Sequence, residues 1–329
     1  MFNIALFGAG RIGQVHATNI ANHPNTCLYS LVEPYDVFAE QFCHEYPGVI
    51  RQTVEQAFHD PKVDAVAICS ATDTHADYIE MAAKAGKAIF CEKPIDLDLS
   101  RVRDCLGVVK EHQVPFLLGF NRRFDPQFNA LKKALNNGKI GAPASVIITS
   151  RDPAPPPAQY AKTSGGMFRD MSIHDLDMAR FILGEDPVSI SAHGSCMVDP
   201  EIGEVGDIDT SVIVMEFPSG AMATIHNSRR SGYGYDQRVE VHGEKGMLQV
   251  GNALENLVTL SAEQGQQQAN PEHFFLQRYH QAYVSEWQHF VDVLNGAAPS
   301  CTGLDGELAL NLAEKALDSM TTKQTVIVS

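Results

Sequence analysis

The chain has 329 residues, 44% hydrophobic and 20% charged, with a formal net charge of −15. That length predicts two domains rather than one, and the composition is enough to bury two modest cores. The acidic balance, with no basic run longer than a pair, excludes nucleic acid and anionic membrane as expected partners.

From residue 2 to 119, short apolar runs alternate with amphipathic stretches. The runs are FNIALFG, CLYSLVE, VDAVAICS, KAIFCE and VPFLLGF; residues 77–85 are typical of the helix-like spacing between them. Continuous apolar strands separated by helices predict a parallel sheet covered on both faces, the doubly wound α/β pattern. The first run begins at once, with no basic leader, and no apolar run is long enough to span a bilayer. The seven cysteines are scattered, odd in number and form no Cys-x-x-Cys. This predicts free thiols in a reducing compartment and a soluble, cytoplasmic protein.

The first run leads into Gly8-Ala9-Gly10-Arg11-Ile12-Gly13, a G-x-G-x-x-G sequence. Alone it is weak. Here an apolar strand precedes it, and Ile12, Val15, Asn19 and Ile20 follow at helical spacing. Gly8 permits the tight turn, Gly10 lets backbone approach a pyrophosphate, and Gly13 lets helix and strand pack closely. The helix N-terminus then faces the phosphates. Glu33 ends the second run, where a carboxylate accepts from adenosine ribose hydroxyls and repels a 2′-phosphate. NAD is therefore expected over NADP. The bland alternative is a glycine turn in another kind of α/β protein, with Glu33 merely exposed.

After Arg122 the texture changes. Extended segments are predicted at 145–150, 188–193, 210–217, 222–227, 237–242, 247–250 and 257–260, several separated by turn signals. They predict an α+β domain with an open, mainly antiparallel sheet. Residues 152–166 read as a proline-rich loop, 264–268 as a polar low-complexity loop, and 306–319 as a helix. The expected domains are 1–121, binding NAD, and 122–329, binding substrate and mediating oligomerisation; helix 306–319 is a candidate to pack back on the first.

The segment GGMFRDMSIHDLDMARF, 165–181, is expected to be helical after its two glycines. Asp170 and His174 lie four apart and share one helix face. A carboxylate one turn before a histidine can fix its tautomer and stabilise the imidazolium. Spacing alone favours a capping aspartate and a satisfied histidine. Asp175 points off that face and no second histidine sits at zinc-protease spacing, so no metal is expected. Asp177 and Arg180 read as a helix-surface or interdomain ion pair. Tyr233 and Tyr235 are placed on an extended segment, sharing one face.

Together, GAGRIGQVHATNI, the run Ser70 to His75, AGKAIFCEKP, GFNRRFDP, SRDPAP, GGMFRDMSIHDLDMARF and YGYDQRVEVHGEKG resemble the glucose–fructose oxidoreductase, inositol dehydrogenase and rhizopine-catabolism (Gfo/Idh/MocA) family over most of the chain. Within it the chain is most similar to the inositol 2-dehydrogenases. One departure is Ala71, where proline is usual. The resemblance implies that Lys93, Asp170 and His174 are catalytic. It implies substrate contacts from Lys93, Arg122, Asp152, Asp170, His174 and Tyr235. Cofactor contacts are expected from Gly8, Gly10, Arg11, Ile12, Gly13, Glu33, Thr72, His75, Glu92 and Lys93. Bland readings stand beside these: Lys93 as a solvated lysine after a strand, Arg122-Arg123 as a clamp between domains, His75 as structural.

The implied activity is NAD-dependent oxidation of a ring hydroxyl of a cyclic polyol, foremost myo-inositol to its 2-keto product. A scyllo-inositol or pyranose dehydrogenase is the near alternative, and a non-catalytic NAD-dependent regulator the distant one. A sensor need not retain Lys93, Asp170 and His174 together. A homotetramer is expected, because sheets of this family pack face to face.

Overall fold

All five apolar runs of the first 119 residues form strands in the computed structural model, which describes residues 1–328. They are β1 (Phe2–Phe7), β2 (Thr26–Val32), β4 (Ala65–Ile68), β5 (Ala88–Glu92) and β6 (Phe116–Gly119), joined by a short β3 (Ile50–Arg51). Every pairing is parallel, in the order β3-β2-β1-β4-β5-β6. This is the strand order of dinucleotide-binding sheets. β3 was not visible in the sequence because it is two exposed residues long. The central strands are buried throughout, as helices on both faces require.

The second sheet holds β7 (Pro143–Arg151), β8 (Ser189–Ser195), β9 (Thr210–Glu216), β10 (Met222–Ser228), β11 (Asp236–Gly243), β12 (Gly246–Val250) and β15 (Val326–Ile327), in the order β12-β11-β7-β10-β9-β8-β15. It is antiparallel except where β7 runs parallel to β10. Burial alternates along β9 and β10, so Ala223, Ile225, Ile213 and Met215 point to a closed face. The helix Ile173–Leu183 packs against β7 and β10 and ends at Gly184, whose φ of 77° only glycine adopts readily. The polar stretch expected to be a loop is instead β14 (Gly265–Gln268), paired in a hairpin with β13 (Thr259–Ala262). Backbone pairing there needs no apolar side chains, so the hydrophobic pattern gave no sign of it.

By internal contacts the chain forms two units: Met1–Phe124 with Ala282–Leu310, and Asp125–Gln281 with the chain from Asn311 onward. The sequence reading placed everything beyond 122 in one domain. Residues 282–310 instead return to the first unit, where Trp287 and Phe290 pack on Phe90. Among the described residues no helix is long and apolar enough to cross a membrane.

Candidate active site

In the first unit the glycine turn has the geometry a pyrophosphate cradle needs. Gly8 has φ 95°, and a Cβ there would stand 2.7 Å from the Cys69 carbonyl oxygen. A Cβ at Gly13 would meet the Gly8 oxygen at 2.1 Å, so helix and turn are in direct contact. At Gly10, which caps the helix Arg11–Asn22 without a side-chain acceptor, nothing lies within 4 Å of a would-be Cβ. Arg11 is exposed and Ile12 partly so. Glu33 Oε2 accepts from the Ala9 N–H at 2.9 Å and Oε1 from the Tyr35 N–H at 3.1 Å. The carboxylate is thus fixed beside the glycine turn, with lone pairs left for ribose hydroxyls. These residues fit a dinucleotide.

At the same, C-terminal edge of the sheet, Thr72 begins a single 3₁₀ turn (Thr72–Thr74) after β4, and Lys93 follows β5, partly buried. His75 is buried and tied by both ring nitrogens, Nδ1 to the Pro94 carbonyl at 2.7 Å and Nε2 to the Ser70 carbonyl at 3.0 Å. It joins two loops. Glu92 points inward, its Oε1 2.7 Å from His16 Nε2. Glu286, on the helix His280–Leu294, completes a buried group of three ligand-type side chains whose atoms lie within 4.8 Å of one another. The His16–Glu92 separation is that of a hydrogen bond. Burial, reinforced by the Glu92 charge, pushes the Glu286 carboxyl well up. Arg122 is buried in the 3₁₀ turn Asn121–Phe124. Arg123 holds Asp305 at 2.9 Å, a clamp inside the first unit.

In the second unit the segment 165–181 departs from a plain α-helix. Gly165 and Gly166 have φ of 88° and 79°. A Cβ on Gly166 would stand 2.8 Å from Asp207 Oδ1, and that oxygen accepts the Met167 N–H at 3.0 Å. The glycine therefore makes room for Asp207. Phe168–Ser172 then forms a π-helical turn before the α-helix starts. Such turns gather at functional sites. Asp170 stands in it, and His174 in the first turn of the α-helix.

Asp170 is held from two sides. Arg229, just past β10 and 2% exposed, places Nη1 and Nη2 each 3.3 Å from Asp170 Oδ2. The Tyr160 hydroxyl donates to Oδ1 at 3.1 Å. Loss of hydration at that hydroxyl, and then the Asp170 charge, push the Tyr160 phenol up. Asp152 Oδ2 lies 4.0 Å from Arg229 Nη1. Asp175 is fully buried and accepts from Asn227 on β10 at 2.7 Å, while Asn227 accepts from Ser172 at 2.7 Å.

Three expectations are corrected. Asp177 and Arg180 pair at 3.6 Å, but Asp177 is 1% exposed, so this is no surface pair. Tyr233 and Tyr235 do not share a face: residues 232–234 form a turn that Gly234, at φ 122°, permits. Tyr233 is largely exposed and bonded to Asp236 at 2.6 Å, whereas Tyr235 is buried edge-on against Tyr279. The opening segment is part π-helix.

Residues 2–120 match the family model described as an oxidoreductase family with an NAD-binding Rossmann fold. Residues 128–249 match that of the GFO/IDH/MocA C-terminal domain. The chain belongs to the Gfo/Idh/MocA family of oxidoreductases. NAD is the cofactor of its nucleotide-binding domain. Inositol 2-dehydrogenase of Rhizobium meliloti is 45% identical over 98% of both chains. Myo-inositol 2-dehydrogenase of Thermotoga maritima is 44% identical over 98% of this chain and 97% of that one. The structure of scyllo-inositol dehydrogenase from Lactobacillus casei with NAD(H) and scyllo-inositol superposes with a TM-score of 0.92, at 32% identity and 99% coverage of both.

Sequence reasoning missed Arg229, Tyr160, His16 and Glu286. Arg229 stood out only as half of a basic pair, and nothing in the Pro-rich loop marked Tyr160. His16 falls at i+3 from Gly13, facing the sheet, which is the one signal that was available.

Proposed function

We propose that this Gfo/Idh/MocA oxidoreductase oxidises a ring hydroxyl of a cyclic polyol, myo-inositol to its 2-keto product, with NAD. The observation that carries the reading is end-to-end similarity to an inositol 2-dehydrogenase, 45% over 98% of both chains. It is joined to a dinucleotide cradle, an acid beside it, and an aspartate in a π-helical turn with a histidine four residues on. Bound NAD supplies the hydride acceptor. Lys93, Asp170 and His174 are assigned the catalytic roles. His174 takes the hydroxyl proton as the C–H hydride leaves. Asp170 orients the imidazole and steadies its charge. The Lys93 ammonium lowers the cost of alkoxide character. Arg122, Asp152 and Tyr235 are assigned to ring hydroxyls. The cofactor is assigned to Gly8, Gly10, Arg11, Ile12, Gly13, Glu33, Thr72, His75, Glu92 and Lys93; the two hydrogen bonds of the His75 ring support a positioning part for that residue.

Scyllo-inositol is the second reading, since one solved relative with NAD(H) bound carries it. Absorbance at the NADH band, with NAD and a panel of inositols, deoxy-inositols and pyranoses, tests both. A site that hydrogen-bonds hydroxyls rejects deoxy analogues steeply. Indifference to every deoxygenation would sink the assignment. We further propose a homotetramer working in the cytoplasm on carbohydrate catabolism. Exposed Ile147, Val212, Met222 and Met247 on the second sheet support the assembly, and seven free cysteines support the compartment.

A further inference from the structure

Arg229 is an unusual residue to find 2% exposed, because a guanidinium out of water is costly unless carboxylates surround it. Two do. Both Nη atoms lie 3.3 Å from Asp170 Oδ2, and Nη1 lies 4.0 Å from Asp152 Oδ2. The backbone fixes the base of this fork: the Arg229 N–H donates to the Asp209 carbonyl at 2.8 Å, and the Asp152 N–H to the Ser228 carbonyl at 2.9 Å. Arg229 therefore sits at the end of a central strand, tied to its neighbours by backbone hydrogen bonds, and reaches a carboxylate in a π-helical turn whose backbone geometry is less regular.

Resting on the reading of Asp170 and His174 given above, we propose that Arg229 is a positioning residue for the reaction. It fixes Asp170 and sets how much of that carboxylate's charge the imidazole of His174 feels. With His174 neutral, two carboxylates face one guanidinium; once His174 holds the substrate proton, the charges balance. The fork thus favours proton uptake without leaving a second uncompensated negative charge. Other ionisable groups nearby are engaged: Tyr160 donates to Asp170, Asp175 accepts from Asn227, Asp177 pairs with Arg180 at 3.6 Å, Arg169 with Glu314 at 3.7 Å, Asp207 accepts from Met167, and Asp209 accepts the N–H groups of Met197, Val198 and Asp199; His226 stands on β10. Arg151 and Asp236 pair with each other at 3.1 Å on the neighbouring strands.

The test is the pH dependence of kcat/KM for polyol oxidation by the intact enzyme. Asp170→Asn removes a negative charge and moves the rising limb to lower pH. Arg229→Gln removes the opposing positive charge, so the limb moves the other way, to higher pH, by on the order of one unit. The double variant Asp170→Asn/Arg229→Gln brings the limb back toward the wild-type position, because the two effects act on one imidazole. A merely structural role lowers the plateau of Arg229→Gln and leaves its limb in place. That result, or a limb moved to lower pH, overturns the proposal. Should Arg229→Gln fail to fold, Arg229→Lys carries the test. It keeps the charge and loses the two-point contact, so the plateau falls about tenfold while the limb stays. A moved limb, or an unchanged plateau, overturns the inference. His174→Ala separates the two layers: a limb that survives there removes the underlying base assignment, and Arg229 with it.

Discussion

The carboxylate of Glu33 accepts the backbone N–H of Ala9 at 2.9 Å, so the acid that ends β2 is tied to the middle of the glycine turn. The same carboxylate accepts from the Tyr35 N–H at 3.1 Å, and Arg51 donates to the Glu33 carbonyl at 3.2 Å and to Asp36 at 2.6 Å. Two acids and one already engaged cation make a poor place for a 2′-phosphate. Like-charge juxtaposition costs several kcal/mol, so NAD should be preferred over NADP by roughly a hundredfold or more in kcat/KM. Glu33→Gln removes the charge and keeps one acceptor oxygen. Its preference should fall on the order of tenfold, with weaker NAD binding as the turn loosens. Equal use of both cofactors by the wild type would contradict this.

Glu286 predicts an unusual pH dependence of stability. Its two carboxyl oxygens are buried without a hydrogen-bond partner, close to the His16–Glu92 pair. Burial and the Glu92 charge raise its carboxyl far above the ordinary range. In the unfolded chain a glutamate ionises near pH ~4.3. Between that value and the raised folded one, the folded state holds a proton the unfolded state has lost. Wild-type stability from this group is therefore fully present below about 4.3 and declines as pH rises, by at most about 1.4 kcal/mol per unit. Glu286→Gln, neutral at every pH, removes the slope. Urea unfolding from pH 5 to 8 should show the variant gaining on the wild type at each step; a constant difference would mean Glu286 is ionised in the fold.

The elements that were legible in the sequence are those in which side-chain pattern and backbone state coincide. β4, β5 and β6 are buried throughout, β1 and β2 over their C-terminal halves, and all five read as unbroken apolar runs. β9 and β10 alternate as a half-covered sheet must. What was hidden depends on partners distant in the chain. Glu286 meets Glu92 and His16 only because the helix His280–Leu294 returns to the first unit. Arg229 meets Asp170 across 59 residues. The motif residues Asp170 and His174 could be named from spacing and resemblance, but not the π-helical turn that sets their angle. Just before that turn Gly166 lies against Asp207, 41 positions away in the chain.

The assembly proposal rests on a particular face. In register across β7, β10 and β9, Ile147, Thr224 and Val214 stand side by side on the open side of the second sheet, and Met222 and Val212 flank them. Ile147 is 40% and Met222 49% exposed, whereas Ile148 and Ala223 behind them are buried. In a two-fold interface the same patch meets itself. Ile147→Asp would then set charges against one another at the centre of the contact, costing several kcal/mol, while the closed face is untouched. Light scattering should find a tetramer in the wild type and a smaller, still folded species in the variant. A wild type that is monomeric at micromolar concentration would remove the proposal.

The catalytic assignment makes the sharpest demand on Lys93, Asp170 and His174. Oxidation of an alcohol releases a proton as hydride departs, so the base must be unprotonated when substrate binds. With His174 in that role, kcat/KM rises with pH as the imidazole sheds its proton and then levels off. His174→Ala should lower the rate by on the order of 10²–10⁴, the usual worth of a positioned acid–base group, and should leave NAD affinity near that of the wild type. Asp170→Asn keeps the shape of the side chain but replaces the oxygen charge that Arg229 and Tyr160 hold in place. Its limb should lie at lower pH and its plateau should drop, because the imidazolium has lost its counter-charge. Lys93→Met separates the remaining alternative. If Lys93 were the base, desolvated beside the end of β5, this variant would lose the pH-dependent limb and His174→Ala would keep it. With His174 as base the outcomes exchange: Lys93→Met retains the limb at a lowered plateau, since only the stabilisation of alkoxide charge is gone. Profiles of the two variants, taken on the same polyol at saturating NAD, decide which nitrogen takes the proton.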